Sequence, residues 1–340
     1  MSTTKVEKSP ILPGSVHDLH CDLLMYLGLG DKRGACDEII PCSLPQLKRG
    51  GLTLQVCAIG TGQEPDAVAL AERQFDHYQK LAPLLQDDLC LAHEELSLRY
   101  AVENATGVFG LEPDLPQGWA RLDRWTQLEG PPTYVTLTWN GPSALGGGSK
   151  HESGLTHTGE QVVKGLSDRK IPIDLSHASD ALAKDILSWC DQHAPEQLLL
   201  LSHSNSRTIQ DHPRNAPDWL LQEIGRRGGV VGLAWFRPFI GERRSDLMRH
   251  IEQIIQIAGP QALVSGADLF YAPDPYPPNH VREPRPYFES LSCAEHMPSL
   301  LDEITATFGT ELTAAFAHGN STRWLQRLQV TTAPCVADLS

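Results

Sequence analysis

Short apolar runs recur along the chain and alternate with segments whose apolar residues have helical spacing. Eight of the runs have the length and composition of buried strands. They are Gly14–His20, Leu52–Ile59, Leu96–Glu103, Tyr134–Trp139, Ile171–His177, Leu198–His203, Val230–Phe236 and Ala262–Asp268. Amphipathic helical segments follow most of them: Pro65–Leu85, Gly118–Leu128, Thr158–Arg169, Ala178–Trp189, Asp218–Arg227 and Arg244–Ala258. This alternation predicts an α/β fold, a closed (β/α)₈ TIM-like barrel rather than an open sheet.

The rest of the chain adds helices and loops to this barrel. The segment Glu295–Gln329 has helical spacing interrupted by Gly309 and Gly319, which predicts C-terminal helices packed outside or beneath the barrel. Two loops rich in Gly and Pro, Gly141–Ser149 and Tyr271–Asn279, directly follow predicted strands. We expect them to form walls or lids of a substrate pocket.

The length of 340 residues fits either two ordinary domains or one large barrel. The sequence contains no internal repeat, low-complexity tract or long linker, which favours a single barrel domain over residues 1–340. We expect its core to span about residues 14–329, between short flexible N- and C-terminal tails.

Composition narrows the class of protein and its partners. Hydrophobic residues make up 41% and charged residues 21%, as in soluble globular proteins, and no apolar run approaches the ~20 residues that span a bilayer. With neither a signal peptide nor an anchor tail in the sequence, we expect a cytoplasmic protein without membrane association. The net charge of −14 disfavours nucleic acid as a partner. The 8 cysteines form no CxxC pair, which predicts reduced thiols.

Metal-type side chains gather at the predicted ends of strands. His177 and His203 each close an apolar run, and Asp268 closes the last one. Near the first strand, His20 and Asp22 have i, i+2 spacing, which places both side chains on one face of an extended chain. In a (β/α)₈ barrel the carboxyl ends of the strands share one face, and zinc accepts imidazole and carboxylate ligands. The set therefore predicts a metal site. Each residue taken alone could equally be a structural histidine or an aspartate that caps a helix.

Three residues close to His20 and Asp22 in the sequence are weaker candidates for metal ligands. His17 and Asp18 could substitute as ligands, but adjacent residues point to opposite faces, and we expect them at a solvated loop entry. Cys21 lies between the two candidate ligands and is expected to point away from the site.

Several motifs together resemble the membrane dipeptidase (renal dipeptidase) family, peptidase family M19. They occur in the family's order from about Val16 to the segment Gly319–Arg323, and their joint occurrence is specific. The motifs are His20-x-Asp22, Leu137-Thr-Trp-Asn140, Gly154-Leu-Thr156, Asp174-Leu-Ser-His-Ala-Ser179, Ser202-His-Ser-Asn205, Arg214-Asn215 and Gly266-Ala-Asp268.

The resemblance implies a metal-dependent hydrolase of the (β/α)₈ type with two zinc ions. One ion would be held at the positions of His20 and Asp22, and the other at those of His177 and His203. A glutamate bridges the ions in this family, and Glu103 fits because alternating apolar residues lead into it as a strand. Glu112 is the rival, but Pro113 follows it and indicates a loop.

The resemblance also implies roles in catalysis and substrate binding. A metal-bridging hydroxide would cleave the amide bond of a dipeptide, with Asp268 acting as general base and then general acid. An alternative for Asp268 is to orient a metal-bound histidine. Arg214 matches the family position that binds the substrate's carboxylate, for which a planar guanidinium is suited. Asn215 is expected to shape the loop.

One departure from the family pattern bears on the substrate. Trp139 stands where well-studied dipeptidases have a histidine that contacts substrate, and loss of such a donor can cost ~3 kcal/mol in the transition state. Trp139 would instead form a pocket wall or lie in the core, and Asn140 or a metal would polarise the carbonyl.

The leading hypothesis is therefore a zinc-dependent dipeptidase-like hydrolase acting on a small molecule. The alternatives are a metal-dependent amidohydrolase for an N-acyl or modified amino acid, and a non-catalytic metal-binding barrel. The sequence leaves a homodimer open.

Overall fold

Eight parallel strands form the centre of the molecule. The computed structural model describes residues 15–30, 34–62, 64–85, 96–271 and 286–332. Within them the strands are β1 His17–Cys21, β2 Leu54–Gly60, β3 Ser97–Glu103, β4 Val135–Thr136, β5 Ile173–Asp174, β6 Leu199–Leu200, β7 Val231–Leu233 and β8 Leu263–Ser265. Each overlaps one predicted apolar run, and every pairing between them is parallel.

The strands close into a barrel. Their hydrogen-bonded order is β6-β5-β4-β3-β2-β1-β8-β7. A parallel bridge between Leu201 and Val231 joins the two ends, where the N–H of Gly232 donates to Leu201 O at 2.7 Å. Glycine is required at this seam because a Cβ on either Gly232 or Gly266 would lie 1.9 Å from Ser202 O. The predicted (β/α)₈ barrel is confirmed.

Helices surround the barrel, and all predicted helical segments are present. The described helices are α1 Leu23–Gly28, α2 Leu44–Arg49, α3 Ala67–Gln79, α4 Leu81–Leu84, α5 Thr106–Phe109, α6 Leu115–Glu129, α7 His157–Asp168, α8 Asp180–His193, α9 Asp218–Arg226, α10 Arg237–Ile240, α11 Asp246–Ala258, α12 Met297–Phe308, α13 Thr310–Ala314 and α14 Asn320–Thr332. Helix α6 begins earlier than predicted because Asp114 accepts a hydrogen bond from Gln117 N–H, and proline suits the first turn. Short helices α1, α2, α5 and α10 were not predicted, since one or two turns show no measurable periodicity.

The C-terminal helix closes the amino end of the barrel. Trp324, Leu325 and Leu328 of α14 are buried in one cluster with interior residues of the strands, including Leu19 and Val264. At the same end, the Asn320 side chain donates to Leu263 O at 2.7 Å. Helix α14 thus packs beneath the barrel, whereas the buried residues of α12 belong to the larger apolar cluster that the strands share with the surrounding helices. Both predicted placements, outside and beneath the barrel, therefore occur, and α14 leaves the opposite face uncovered.

The remaining sequence predictions concern the loops, the tails, the cysteines and membrane association. Of the two predicted pocket loops, Gly141–Ser149 is described, whereas most of Tyr271–Asn279 and both predicted tails lie outside the described residues. Cys36 is disulfide-bonded, which corrects the prediction of reduced thiols at that position. The five cysteines recorded with free thiols are Cys21, Cys42, Cys57, Cys190 and Cys293. Among the described residues, none of the helices combines the length and apolar character needed to cross a bilayer.

Candidate metal centre

A bulge in β1 sets the start of the site. The register against β2 slips by one residue between Asp18 and Cys21. Two adjacent residues of β1 can therefore both point into the barrel. Leu19 joins the apolar cluster above α14, and His20 faces the carboxyl end. Cys21 lies on the outer side, with its Sγ 4.0 Å from that of Cys57, so it points away from the site as expected.

The prediction from sequence that Asp18 lies at a solvated loop entry is wrong. Asp18 is buried within the barrel and is only 1% exposed. His17 is half-buried at the opposite, amino end, where its ring bonds Ser15 and Ser321. The sequence pattern could not show this, since the bulge sets which face each residue of the strand takes.

His20 lies among three carboxylates. Its Nε2 is 3.5 Å from Asp22 Oδ1, 3.6 Å from Glu103 Oε2 and 3.7 Å from Asp268 Oδ1. The ends of β1 and β8 are held together by backbone hydrogen bonds, from Asp268 N–H to His20 O at 3.1 Å and from Asp22 N–H to Leu269 O at 3.0 Å. Asp268 has a φ of 58°, an uncommon left-handed conformation for a residue other than glycine.

Glu103 connects this group to the other two histidines. Its Oε1 is 2.9 Å from His177 Nε2, which is itself 2.9 Å from His203 Nε2. The ring of His203 also stacks on that of His20, with centroids 3.7 Å apart. The rival Glu112 lies in an exposed turn before α6. The structure thus brings together all five predicted metal residues and Asp268, with Glu103 between the two halves.

Hydrogen bonds behind the rings fix how each histidine is presented. Tyr134 OH donates to Leu19 O at 2.9 Å, so it accepts the 2.8 Å bond from Nδ1 of His20. Nε2 of His20 is therefore the nitrogen that faces the carboxylates. Tyr134 was not predicted as a functional residue, and its position at the start of a predicted strand gave no signal for this contact.

His203 and His177 are oriented in the same way. Ser202 Oγ donates to Asp174 Oδ2 at 2.7 Å, so it accepts from His203 Nδ1 at 2.8 Å. Asn140 Oδ1 accepts from His177 Nδ1 at 3.1 Å. Both Nε2 atoms then carry lone pairs, and two lone pairs facing each other at 2.9 Å form no hydrogen bond. A cation between them would resolve that contact.

The donor set fits a transition-metal site. Two groups have mutually close ligand atoms: His20, Glu103 and His203, and His20, Asp22 and Asp268. The buried atoms His20 Nε2 and Asp22 Oδ1 have no hydrogen-bond partner. Imidazole nitrogen combined with carboxylate oxygen suits zinc, and buried polar atoms normally find a partner. These residues therefore fit a bound metal.

Burial sets the charge state of these groups. It lowers the pKa of His177 and His203 well below the ordinary value, aided by the charges of Arg214 and His20, which keeps both imidazoles neutral for metal binding. Burial raises the pKa of Glu103 to about 8 and that of Asp268 to about 7, and the charge of Asp22 acts in the same direction. For His20, burial is outweighed by the surrounding carboxylates, which raise the pKa to about 10. The cluster of Asp22, Glu103 and Asp268 therefore attracts positive charge.

Arg214 is buried beside the histidines and is only 4% exposed. Its Nη2 donates to His177 Nε2 at 3.0 Å, its Nη1 donates to Ser176 O, and its guanidinium lies 5.2 Å from the ring centroid of Phe239. Among the described residues, no carboxylate oxygen lies within 4 Å of it. Asn215 shapes the loop, as expected, by donating to Gln210 O and Phe239 O.

The site opens into a cavity of about 490 Å³. Trp139 is 38% exposed on its wall and stacks over the His177 ring with centroids 6.4 Å apart, so it is not a core tryptophan. Asn140 also lines the cavity, but its Oδ1 is occupied by His177 and by Ser149 Oγ. That oxygen orients a histidine, a role the sequence did not predict. Lys150 on the same wall was not singled out either, because an isolated lysine carries no motif.

Comparison with known proteins accords with this geometry. A model of the membrane dipeptidase family (peptidase family M19) matches residues 12–276. The chain belongs to this family. The chain is 32% identical over 183 residues to Dipeptidase 3 of Rattus norvegicus, and this alignment covers 50% of this chain and 35% of that protein. It is also 32% identical over 124 residues to an uncharacterized protein in the pqqA 5' region of Klebsiella pneumoniae, covering 34% of this chain and 44% of the other. The chain thus spans less than half the length of these curated relatives.

Solved structures of the family share the fold. The dipeptidase AC, an M19 metallo peptidase, superposes with a TM-score of 0.75 at 20% identity, covering 93% of this chain and 98% of that one. A metallo peptidase from Rhodobacter sphaeroides, liganded with a phosphinate mimic of the dipeptide L-Ala-D-Ala, gives a TM-score of 0.73 at 20% identity, covering 92% of this chain and 99% of that one.

Proposed function

We propose that this member of the membrane dipeptidase family is a zinc-dependent hydrolase that cleaves the amide bond of a dipeptide. One observation carries the proposal: a buried cluster of three histidines and three carboxylates, with unpartnered ligand atoms, lies beside a buried arginine that has no carboxylate within 4 Å among the described residues. The first feature suits a metal, and the second suits the carboxylate of a small substrate.

The proposed metal ligands are assigned as the family resemblance implies. His20 and Asp22 would hold one zinc ion, His177 and His203 would hold the other, and Glu103 would bridge them, since its two oxygens face His20 and His177. Zinc held by these residues would lower the pKa of a bound water and polarise the scissile carbonyl.

Asp268 would take a proton from the attacking water and return it to the leaving amine. It lines the cavity, and its backbone is fixed on both sides, by Asp268 N–H donating to His20 O and by Tyr287 OH donating to Asp268 O at 2.6 Å. Arg214 would bind the substrate's carboxylate, and Trp139 would pack against the substrate as a wall. Trp139 stands in the place of the family histidine and lacks the imidazole that would contact the developing oxyanion there.

The experiment measures metal and activity together. The purified protein should bind two zinc ions by elemental analysis and hydrolyse a panel of dipeptides, and activity should disappear with chelator and return with Zn²⁺. His177→Ala should lose both one zinc ion and activity. Protein without transition metal after zinc loading, or full activity in His177→Ala, would sink the proposal.

A second candidate keeps the metal centre and changes the substrate to an N-acyl or modified amino acid. The aromatic lining of the cavity, formed by Trp139, Phe236, Phe239 and Phe270, favours it. A screen that pairs each dipeptide with the corresponding N-acyl amino acid separates the two candidates.

We also propose a single barrel domain for the whole chain and a small-molecule rather than a nucleic-acid partner. A homodimer stays an open prediction. A cytoplasmic location also stays a prediction, and the disulfide at Cys36 speaks against it.

A further inference from the structure

Two cations line the same cavity. Arg214 lies deep in it, next to His177, and Lys150 is an exposed residue of its wall. Their positive charges also act on one neighbouring imidazole. Burial is the largest cause that lowers the pKa of His212 to about 4, and the charges of Arg214, Lys150 and Arg207 act in the same direction. The charge of Asp211 opposes them, so positive charge outweighs negative charge around His212, while the carboxylates Asp22, Glu64, Glu103 and Asp268 line other parts of the cavity.

The third cation of this group is already neutralised. Arg207 donates two hydrogen bonds to the carboxylate of Asp180, at 2.8 and 2.9 Å. Within the described ranges, neither Arg214 nor Lys150 has a carboxylate within 4 Å. Neither positive charge is thus paired with a close carboxylate there, although Arg214 donates to His177 and to Ser176 O and the more distant charges of Asp268 and Glu103 also act on it. A cation without a close carboxylate is the arrangement expected where a ligand brings the negative charge.

The backbone of Lys150 is held in place by Asn140, the residue that orients His177. Lys150 N–H donates to Asn140 O at 2.8 Å, and Ser149 Oγ donates to Asn140 Oδ1 at 3.0 Å. Asn140 Oδ1 also accepts a hydrogen bond from His177 Nδ1. The loop that carries Lys150 is therefore fixed relative to a proposed zinc ligand, unlike that of a lysine on a free surface.

We propose that Lys150 binds a second anionic group of the substrate, so that the preferred substrates are dipeptides whose C-terminal residue has a carboxylate side chain. The inference rests on the proposed function. If Arg214 binds the α-carboxylate, the next anion in reach of the same wall is the side chain of that C-terminal residue. Lys150 is then a specificity-determining residue, and its compact ammonium pairs with a carboxylate as a point charge.

The experiment compares substrates that differ only in charge. With the zinc-loaded full chain, kcat/KM is measured for Ala-Glu and Ala-Gln and for Ala-Asp and Ala-Asn, each with an L or a D C-terminal residue. The wild type should prefer the acidic member of a pair about two- to fivefold, as one ion pair near solvent allows. The preference should decline at high ionic strength because salt screens exposed charges.

Variants at Lys150 assign the preference to this residue. Lys150→Gln should lower the ratio of Ala-Glu to Ala-Gln towards one, and Lys150→Glu should shift preference from Ala-Glu to Ala-Lys. Lys164→Gln is the matched control because Lys164 lies on α7 and pairs with Asp168, so its ratio should equal that of the wild type. Circular dichroism spectra check that all variants are folded.

The outcomes separate this inference from the proposed function. Equal rates on the acidic and amide members in the wild type, or an unchanged ratio in Lys150→Gln, would overturn the role of Lys150 while leaving a dipeptidase. If the zinc-loaded protein hydrolyses no dipeptide of the panel, both proposals are overturned.

Discussion

Two sets of carboxylates in this barrel are both buried but have opposite surroundings. Asp18 and Asp174 lie inside the barrel, and each accepts at least four hydrogen bonds from neutral groups. For Asp174 the donors are Thr136 Oγ1, both the N–H and the hydroxyl of Ser176, and both those of Ser202, at 2.7 to 3.1 Å. For Asp18 they are Ser265 Oγ, Gln55 Nε2 and the N–H groups of His20 and Ala267.

The carboxylates at the mouth have almost no such donors. Asp22, Glu103 and Asp268 face His20 at 3.5 to 3.7 Å, beyond a normal hydrogen bond, and Asp22 Oδ1 has no partner. Neutral donors fix Asp18 and Asp174 as parts of the scaffold, whereas the mouth set has few hydrogen-bond donors and only the charges of His20 and Arg214 to offset its own. Burial of a carboxylate therefore does not by itself indicate function. The hydrogen-bond partners make the distinction.

The largest expected effect concerns the mouth set. Glu103→Gln removes a proposed bridging carboxylate and should lower kcat/KM by about 10³-fold or more, equal to about 4 kcal/mol of transition-state stabilisation. The free energy of unfolding of the metal-free protein should not fall, because burial and the charge of Asp22 already disfavour the ionised form of Glu103, whose pKa is raised to about 8, and glutamine has nearly the same shape as the protonated side chain. Zinc content, dipeptide hydrolysis and urea unfolding without metal measure the three quantities.

Glu112→Gln is the matched control for this substitution. Glu112 was the rival bridging residue and lies in an exposed turn, so its variant should retain zinc and activity. Loss of activity in Glu112→Gln but not in Glu103→Gln would reverse the assignment.

A smaller effect of the opposite kind is expected at Asp174. An asparagine there would face donors with its own NH₂ group, so Asp174→Asn should cost about 3 kcal/mol of unfolding free energy in metal-free protein. Thr136→Val removes only one donor and should cost about 1 kcal/mol. If Asp174→Asn were as stable as the wild type in urea unfolding, the distinction between scaffold and mouth carboxylates would fail.

The sequence predicted the mouth set well and the scaffold set poorly. His177, His203 and Asp268 end apolar runs, and the parallel topology alone brings such ends to one face. Glu103 could be preferred over Glu112 because strand alternation reaches it. By contrast, hydrogen bonds between distant strands leave no local pattern, so Asp18 was misplaced and Tyr134 was not recognised.

The remaining differences have local physical causes. The bulge in β1 overrides simple alternation between Asp18 and Cys21. The charged wall formed by Lys150 and Arg214 depends on how two loops meet above the barrel, which spacing along the chain does not encode.

The smallest expected effect extends the comparison to histidines. His250 of α11 is buried like His203, but both of its nitrogens have backbone partners: its Nδ1 accepts from Ser206 N–H at 3.1 Å and its Nε2 donates to Ile240 O at 3.0 Å. Burial lowers its pKa to about 4, and the charge of Arg249 adds to this, whereas the bond to Ile240 and the charge of Asp246 oppose it.

Because the folded pKa of His250 lies below the unfolded value of about 6.5, the unfolded chain binds more protons between these values. The contribution of His250 to stability is fully present above pH ~6.5 and is lost as the pH falls towards 4, by about 1 kcal/mol at pH ~5.5. Urea unfolding of metal-free wild type and His250→Gln at several pH values isolates this term, since the variant has no imidazole there. Parallel pH dependences of the two proteins would show that His250 does not titrate on unfolding.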